Sequence, residues 1–258
     1  MGVALRNADG NFEALTGNQI ALVLIDYIIK SGKLPENPAM VKSIVSSELA
    51  SVICKKNNIN VFNVYTGFKY IGEKIKEFEK SNSYSFIFGF EESYGYLTGT
   101  YARDKDGVSA SLTLAEAALC AKLEGKTLFD VIDSIYEKYG FWGEYWSEAI
   151  ITAPDFASEM AKIMRGLRSN TPSSIADIKV KKVTDYESGV TRDLATGSTE
   201  KLPYPSENVL TLILEDNSSI TVRPSGTEPK IKLYYFISSE NKEESLAKLE
   251  SFKAFFNF

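Results

Sequence analysis

Between residues 40 and 88, short apolar runs alternate with stretches of helical periodicity, and this alternation restricts the fold more than any other feature of the sequence. The apolar runs predict strands at residues 40–45, 59–65 and 84–88, and the stretches between them predict helices at 47–56 and from Thr66 onward. Strands that alternate with helices usually pair in parallel, because each helix carries the chain back over one face of the sheet. We therefore predict a doubly wound α/β domain with a mixed, mainly parallel sheet.

The pattern changes near Phe141, where strands begin to follow one another with few helices between them. The predicted strands are 145–152, 178–186, 209–214, 219–222 and 230–237, with a loop at 187–208 and helices at 154–167 and 242–255. This order is typical of a smaller α+β domain with an antiparallel sheet and helices on one face. A chain of 258 residues favours two domains over one, and we place them at residues 1–141 and 142–258.

Composition excludes several kinds of function. The sequence contains no histidine, so it offers no imidazole for a catalytic triad, a zinc site or proton transfer. A net charge of −5, with neither half basic, argues against a nucleic-acid partner. No apolar run reaches membrane-spanning length and the sequence does not open like a signal peptide, so we expect a cytoplasmic protein without a membrane partner. Cys54 and Cys120 lack metal-ligand spacing and are expected to be free thiols.

Two carboxylates and a hydroxyl, those of Glu91, Glu92 and Ser93, follow the predicted strand at residues 84–88. Ligands of open α/β sheets bind at the carboxyl ends of the strands. A carboxylate accepts hydrogen bonds from two neighbouring hydroxyls and a serine donates or accepts, so this group suits the vicinal hydroxyls of a sugar. A plain polar loop is the alternative interpretation.

The segment Arg223–Lys230, with the sequence Arg-Pro-Ser-Gly-Thr-Glu-Pro-Lys, lies between two predicted strands. Arginine can bind phosphate oxygens through two hydrogen bonds, Ser225 and Thr227 supply hydroxyl donors, and Gly226 lets backbone N–H groups approach an anion. The segment is therefore a candidate phosphate loop. A hairpin turn without a ligand is equally compatible with these residues.

Thr66, Gly67 and Lys69 stand at the predicted start of a helix. A hydroxyl, a flexible glycine and a cation at this position suit an anion, because the first N–H groups of a helix are unpaired. The same residues are also typical of a simple helix cap, which is the more common interpretation of such a segment.

Lys105 is a candidate acid or base, although Asp104 and Asp106 beside it favour its charged form, whereas a base must be neutral. A solvated run of charges is the alternative. The two aspartates do not complete an Asp-x-Asp-x-Asp loop, because Val108 occupies the third position, so we predict no metal site in this chain.

Taken together, these motifs resemble those of the α-D-phosphohexomutases, and in particular the phosphoglucomutase and phosphopentomutase branch. Five segments match in family order over nearly the whole chain: Leu15–Gln19, Thr66–Lys74, Gly89–Tyr96, Arg103–Gly107 and Arg223–Lys230. Each segment is weak by itself, whereas the set is highly specific. The resemblance implies that residues 1–141 and 142–258 correspond to the third and fourth of the four domains in these enzymes.

The resemblance also implies roles for individual residues. Those expected to bind sugar hydroxyls or orient the sugar in the third domain are Thr66, Gly67, Glu91 and Ser93, with Lys69 as a candidate phosphate contact. Those expected to hold the non-reacting phosphate in the fourth domain are Arg223, Ser225, Gly226 and Thr227. Lys105 matches a lysine that is considered a proton-transfer candidate in some members of the family.

In enzymes of this family, a phosphoserine of the first domain exchanges its phosphoryl group with the sugar through a bisphosphate, assisted by Mg²⁺ in an Asp-rich loop of the second domain. The resemblance therefore implies interconversion of glucose 1-phosphate and glucose 6-phosphate, with glucose 1,6-bisphosphate as intermediate or activator. The sequence lacks both loops, so we expect a truncated piece without domains 1 and 2, inactive alone. The alternatives are half of a phosphopentomutase and a naturally short, non-catalytic phosphosugar-binding module.

Overall fold

A computed structural model describes residues 1–7, 9–203 and 205–256 of the chain. The chain divides into two compact units, Met1–Gly140 and Phe141–Phe258. This division does not by itself test whether residues 1–141 and 142–258 are two mutase domains, so that assignment stays a prediction. No helix in the described ranges is both long enough and apolar enough to cross a membrane.

The first unit contains a small ribbon and a four-stranded sheet with five helices among its described residues. In chain order the elements are β1 Ala4–Arg6, β2 Phe12–Ala14, α1 Gly17–Lys30, β3 Pro38–Ser43, α2 Glu48–Lys56, β4 Asn60–Val64, α3 Phe68–Ser81, β5 Ser85–Glu91, β6 Gly95–Leu97, α4 Gly107–Leu123 and α5 Leu128–Tyr139. β1 and β2 pair with each other, and the sheet has the order β4-β3-β5-β6. β3 is parallel to β4 and to β5, and β6 is antiparallel to β5, which confirms the predicted mixed, mainly parallel sheet.

Helices cover both faces of this sheet, and the alternation of side chains along β3 shows which face each helix covers. Ala39 and Val41 belong to a core that contains the buried side of α3. Met40, between them, points to the opposite face, where its sulfur lies 3.6 Å from Cys54 Sγ of α2. The predicted doubly wound arrangement is therefore confirmed. Burial raises the pKa of the Cys54 thiol to about 12, whereas the second free cysteine, Cys120 on α4, is exposed.

α1 begins with the predicted capping box. The Gln19 N–H donates to Thr16 Oγ1 over 3.2 Å, and the Thr16 N–H donates to Gln19 Oε1 over 2.9 Å. Most residues from Gly17 to Asp26 are buried, as expected of a helix that is apolar on nearly every side. Gly17 packs directly on the turn after β5, because a Cβ at this position would lie 1.9 Å from the carbonyl oxygen of Glu92.

The second unit is a single antiparallel sheet with two helices among its described residues. In chain order its elements are β7 Phe141–Ile150, α6 Phe156–Ser169, β8 Ser174–Ile175, β9 Ile178–Asp185, β10 Val190–Asp193, β11 Thr199–Lys201, β12 Leu210–Leu214, β13 Ser219–Pro224, β14 Lys230–Ser239 and α7 Lys242–Phe255. The strands follow the order β11-β10-β9-β12-β13-β14-β7, and β8 pairs with β9.

Both helices of the second unit pack on the same face of its sheet. Met160 and Met164 of α6, and Leu249 and Phe252 of α7, share one core with the inward side chains of the strands, among them Leu212. The predicted α+β domain, with an antiparallel sheet and helices on one face, is confirmed.

The sequence interpretation was wrong for several short strands. Residues 187–208, predicted as a loop, contain β10 and β11. β6 follows the turn at residues 91–94, which we call the acidic bend. β10 has few apolar residues and is a strand because its backbone pairs with β9 and β11, so local propensity gave no signal. β7 begins at Phe141 rather than Tyr145, because its first residues pair with the end of β14.

Replacing Gly17 with alanine tests the close packing of α1 on the turn after β5. The new Cβ would lie 1.9 Å from the Glu92 carbonyl oxygen, so the helix or the turn has to move. We expect the free energy of unfolding to fall by about 2 kcal/mol, a typical cost of overpacking. Urea unfolding followed by circular dichroism measures the change. Gly107→Ala is the matched control, since no atom lies within 4 Å of its new Cβ, and equal losses in both variants would contradict this interpretation.

Candidate functional site

The carboxylate of Glu91 lies at the carboxyl end of β5 and contacts the start of α3. The Gly67 N–H donates a hydrogen bond of 2.6 Å to Glu91 Oε1. Glu91 is buried, with only 8% of its surface exposed. The first N–H groups of a helix have no partner within the helix and stabilise negative charge. The structure therefore brings together two of the predicted segments, the one containing Thr66 and Gly67 and the one containing Glu91.

The backbone of Gly67 adopts a conformation that requires glycine. Gly67 is the N-cap of α3 with a φ of 118°, and no side chain makes the usual capping bond at this helix. Side chains other than that of glycine are strained at such a φ. The simple cap considered from the sequence is absent at this position, and the carboxylate of Glu91, from a neighbouring strand, binds the helix N-terminus instead.

Lys105 lies at the same corner of the sheet. A Cβ on Gly95 would be 2.5 Å from Lys105 Cδ and 3.6 Å from Cδ2 of Phe68, the first residue of α3. Lys105 Nζ lies 5.2 Å from the centroid of the Phe68 ring. Since Gly95 pairs with Glu91 across β5 and β6, Lys105 is close to both predicted sugar-binding segments.

The two aspartates that flank Lys105 have different partners. Lys105 Nζ donates to Asp104 Oδ1 over 2.8 Å, and this bond lowers the pKa of the Asp104 carboxyl. The Tyr101 hydroxyl donates to Asp106, which is the main cause of the lowered pKa of that carboxyl, and the Val108 N–H donates to the same group at the start of α4. Asp104 is thus the ion-pair partner of Lys105, and Asp106 is a helix cap.

Arg103 anchors the segment that carries Lys105. Its Nη2 donates to both carboxylate oxygens of Glu79 on α3, over 2.6 and 2.7 Å, and its Nη1 donates to two carbonyl groups of its own segment. α3 also approaches this segment closely at Gly72, where a Cβ would lie 2.6 Å from the Arg103 carbonyl oxygen. Sequence reasoning missed Glu79, which lies outside every motif, and it assigned no role to Gly72, although Gly72 lies within the matching segment Thr66–Lys74.

A buried polar cluster, which we call the Glu92 cluster, lies beneath the acidic bend and was not expected from the sequence. Ser43 and Ser46 each donate to Glu92 Oε2 over 3.2 Å, and the Glu92 N–H donates to Ser46 Oγ over 3.1 Å. Lys42 is fully buried, donates to the Ser46 carbonyl over 3.1 Å and pairs with Glu48 at 2.9 Å. Burial raises the pKa of the Glu92 carboxyl. The sequence did contain one signal for this cluster, because Ser43 and Ser46 lie at the carboxyl end of the strand predicted at residues 40–45.

Ser93 and Lys69, the other predicted residues of this unit, have exposed side chains. Ser93 precedes Tyr94, whose φ of 66° turns the chain back into β6. Lys69 Nζ lies over the ring of Tyr70, 4.6 Å from its centroid. Both side chains are therefore open to solvent, in contrast to the buried carboxylate of Glu91.

In the second unit, the candidate phosphate loop is the hairpin between β13 and β14. Ser225 Oγ accepts hydrogen bonds from the Thr227 N–H over 3.3 Å and from the Glu228 N–H over 3.1 Å. The Ser225 N–H donates to the Lys230 carbonyl over 2.9 Å. Gly226 and Thr227 are exposed at the tip. The loop is therefore held in shape by its own hydrogen bonds.

Arg223 lies near the end of β13 with its side chain half-buried. Among the residues that the structure describes, its guanidinium has no carboxylate partner. Lys230, by contrast, pairs with Glu148 at 3.0 Å and with Glu228 at 3.2 Å. Within this hairpin, the positive charge of Arg223 is the one available to an external anion.

The residues that the structure describes offer no site that fits a metal ion. Over the described ranges, no group of three or more acidic, cysteine or histidine side chains is placed so that it could bind a metal ion. Asp104 and Asp106, the pair that most resembled a metal motif, are bonded to Lys105 and to the start of α4.

Residues 16–139 match the family model described as phosphoglucomutase/phosphomannomutase, alpha/beta/alpha domain III. The chain is homologous to the C-terminal part of phosphoglucomutases and phosphomannomutases. Its relatives include phosphoglucomutases from Staphylococcus aureus (strain MSSA476) and Staphylococcus saprophyticus, each 35% identical over 97% of this chain. The chain spans only 45% and 46%, respectively, of the length of these two relatives.

Solved structures of the family share the fold. Parafusin, a phosphoglucomutase from Paramecium in its open form, aligns with 92% of this chain and 40% of its own, with a TM-score of 0.64 and 18% identity. A phosphoglucomutase/phosphomannomutase family protein from Burkholderia thailandensis aligns with 97% of this chain and 43% of its own, with a TM-score of 0.59 and 13% identity. At these identities the likeness concerns the fold alone.

The Glu92 cluster generates a prediction about pH. Because burial raises the pKa of Glu92 in the folded chain above its unfolded value of about 4.3, ionisation of Glu92 opposes folding. Its contribution to stability is present below the unfolded pKa and lost as pH rises through the folded pKa. Glu92→Gln keeps an acceptor for the two serines and stays neutral, so its stability relative to the native chain should increase with pH.

Urea unfolding of both proteins from about pH 4 to pH 7.5 measures this difference. Glu137→Gln is the control, since Glu137 is an exposed carboxylate on α5. A stability difference between Glu92→Gln and the native chain that does not change with pH would contradict the prediction.

Proposed function

We propose that this chain is the substrate-recognition half of a phosphoglucomutase-type enzyme that interconverts glucose 1-phosphate and glucose 6-phosphate. The observation that carries the proposal is the hydrogen bond between the Gly67 N–H and Glu91 Oε1. It fixes the carboxylate in place, and a carboxylate oxygen retains capacity for further hydrogen bonds from sugar hydroxyls. A binding group held rigidly before the ligand arrives loses less entropy when it binds.

In this proposal Glu91 and Ser93 bind hydroxyl groups of the sugar, while Thr66 and Gly67 orient it. Lys69 is exposed and positively charged next to these residues, so it suits a phosphate group. The exposed hydroxyl of Ser93 can donate or accept, and so complements the acceptor-only carboxylate.

The hairpin of the second unit is proposed to hold the phosphate that does not react. Arg223 supplies an unpaired guanidinium, which binds phosphate through two hydrogen bonds. The hydroxyls and backbone of Ser225, Gly226 and Thr227 complete the contact. The hydrogen bonds within the hairpin support this role, because they form the loop in advance.

Lys105 is proposed as the acid or base that exchanges a proton with a sugar hydroxyl. Lys105 Nζ lies 2.8 Å from Asp104 Oδ1, at the same corner of the sheet as the proposed sugar-binding segments. With 48% of its side chain exposed, Lys105 can move from Asp104 to a ligand.

The phosphoryl group is proposed to pass through a phosphoserine and glucose 1,6-bisphosphate. Both transfer steps would require the additional domains 1 and 2, for which the longer relatives have room. Mg²⁺ would neutralise charge on the transferring group, but the described part of this chain offers no fitting set of ligands, so we assign none of its residues to the metal. We propose a cytoplasmic location, in keeping with two cysteines that are both free.

Substitution of Arg223 tests the phosphate loop. We expect Arg223→Lys to weaken binding of glucose 6-phosphate about tenfold, because lysine lacks the planar fork, and Arg223→Ala to weaken it further. Isothermal titration calorimetry on the purified chain measures both. Arg192→Ala removes an exposed arginine of β10 in the same unit and should leave binding unchanged. Equal affinity for glucose and glucose 6-phosphate in the native chain would refute a phosphate site.

The purified chain alone should show no mutase turnover, because phosphoryl transfer depends on a positioned donor that recognition residues do not replace. A coupled assay of glucose 6-phosphate formation from glucose 1-phosphate, with glucose 1,6-bisphosphate added, measures this. Turnover at the rate of a complete phosphoglucomutase would refute the proposal. In the complete enzyme, faster turnover of ribose 1-phosphate than of glucose 1-phosphate would identify a phosphopentomutase instead.

A further inference from the structure

Ser46 lies in the turn between β3 and α2 and belongs to none of the five matching segments. Like the acidic bend, this turn follows the carboxyl end of a strand, and β3 and β5 are neighbours in the sheet. The exposed fraction of Ser46 is 0%. A hydroxyl that is buried in this way does not contact a ligand directly, so any influence on recognition has to act through a neighbouring residue.

Every polar group of Ser46 has a hydrogen-bond partner. Its N–H donates to the Ser43 carbonyl over 3.0 Å, and its carbonyl accepts from the buried ammonium of Lys42 over 3.1 Å. Its Oγ accepts from the Glu92 N–H over 3.1 Å and donates to Glu92 Oε2 over 3.2 Å. β3 therefore fixes the backbone of Ser46, and the Ser46 hydroxyl in turn binds both the backbone and the side chain of Glu92.

We propose that Ser46 is a positioning residue for sugar recognition and that it holds Glu91 in place through Glu92. The inference rests on the proposed function, in which Glu91 binds the sugar. The Glu92 N–H belongs to the planar peptide group that begins at the Glu91 carbonyl, so the bond to Ser46 fixes the Glu91 backbone. The Gly67 N–H fixes the other end of Glu91, at its carboxylate. Glu91 is thus held at its backbone and at its side chain.

The acidic bend is also confined by α1. A Cβ on Gly17 would lie 1.9 Å from the Glu92 carbonyl oxygen and 3.1 Å from the Tyr94 nitrogen, so the helix packs directly on the backbone of the bend. Removal of the Ser46 hydroxyl leaves this packing in place but frees the peptide group between Glu91 and Glu92. The distance from the Glu91 carboxylate to the Gly67 N–H then no longer has a single value.

A hydroxyl that only fills space is the alternative, and Ser51 on α2 provides the comparison. Ser51 is 4% exposed, and within the described part of the chain its Oγ has no hydrogen-bond partner. Ser51→Ala therefore removes a buried hydroxyl of the same unit without breaking a hydrogen bond. Ser46→Ala removes the same group and deprives both the N–H and the carboxylate of Glu92 of a partner.

The test begins with NMR spectra of the chain labelled with ¹⁵N-glycine. Its 17 glycines include Gly67, which binds the Glu91 carboxylate, and Gly226, in the candidate phosphate loop. Without ligand, the amide proton signal of Gly67 should move upfield in Ser46→Ala, because its short bond to a charged acceptor weakens. It should keep its native position in Ser51→Ala. A loss of stability alone does not move a signal of the folded chain.

Titrations of the same samples measure recognition. Ser46→Ala should bind glucose 6-phosphate about tenfold more weakly than the native chain, since apparent affinity falls with the fraction of molecules in the binding-competent conformation. Inorganic phosphate, followed at the Gly226 signal, should bind both proteins equally. Glu92→Gln keeps an N–H and an acceptor for Ser46 and should restore most of the affinity that Glu92→Leu loses.

Native affinity and an unmoved Gly67 signal in Ser46→Ala would overturn the inference, and so would equal losses in Ser51→Ala. If circular dichroism shows Ser46→Ala to be unfolded, Ser43→Ala replaces it. That variant removes one of the two hydroxyls at Glu92 Oε2, so the Gly67 signal should move in the same direction but less, and an unmoved signal would refute the positioning role. A native chain that does not bind glucose 6-phosphate, together with a moved Gly67 signal, would refute the proposed function and support the contact.

Discussion

The hydrogen bond between the Gly67 N–H and the carboxylate of Glu91 is the interaction on which the candidate site depends. It joins the carboxyl end of β5, a central strand of the sheet, to the beginning of α3. Parallel sheets bind their ligands at this edge. Both groups gain a hydrogen-bond partner. The helix gains an acceptor for an unpaired N–H group, and the carboxylate gains a donor in a place where water is largely excluded.

Burial of charge near this bond has to be offset by neighbouring groups. In the Glu92 cluster two serine hydroxyls donate to the carboxylate, the Glu92 N–H donates to Ser46 Oγ, and the fully buried Lys42 pairs with the partly exposed Glu48. The pKa of Glu92 is nevertheless raised, so desolvation still outweighs these contacts. A network of this kind restricts the acidic bend to one conformation, because any displaced group would leave another polar atom buried without a partner.

The sequence predicted what depends on local pattern or on the general geometry of parallel sheets. The alternation after residue 40 predicted the doubly wound sheet, and that sheet explains why Gly67 and Glu91 lie close together although they are distant in sequence. It could not predict contacts that depend on a particular pair of distant side chains, such as Arg103 with Glu79, or Ser46 with Glu92. The strand at β10 was missed for a related reason, since its pairing partners rather than its own residues determine its conformation.

The two thiols differ in a way that has a practical consequence. Cys54 is enclosed between α2 and the sheet and resists ionisation, whereas Cys120 is exposed on α4. Because alkylating reagents attack thiolates that they can reach, maleimide dyes will react with one cysteine per folded molecule without any engineering. A fluorophore or spin label attached there would report from the exposed side of α4, and the onset of reaction at the second thiol would mark loss of the native core.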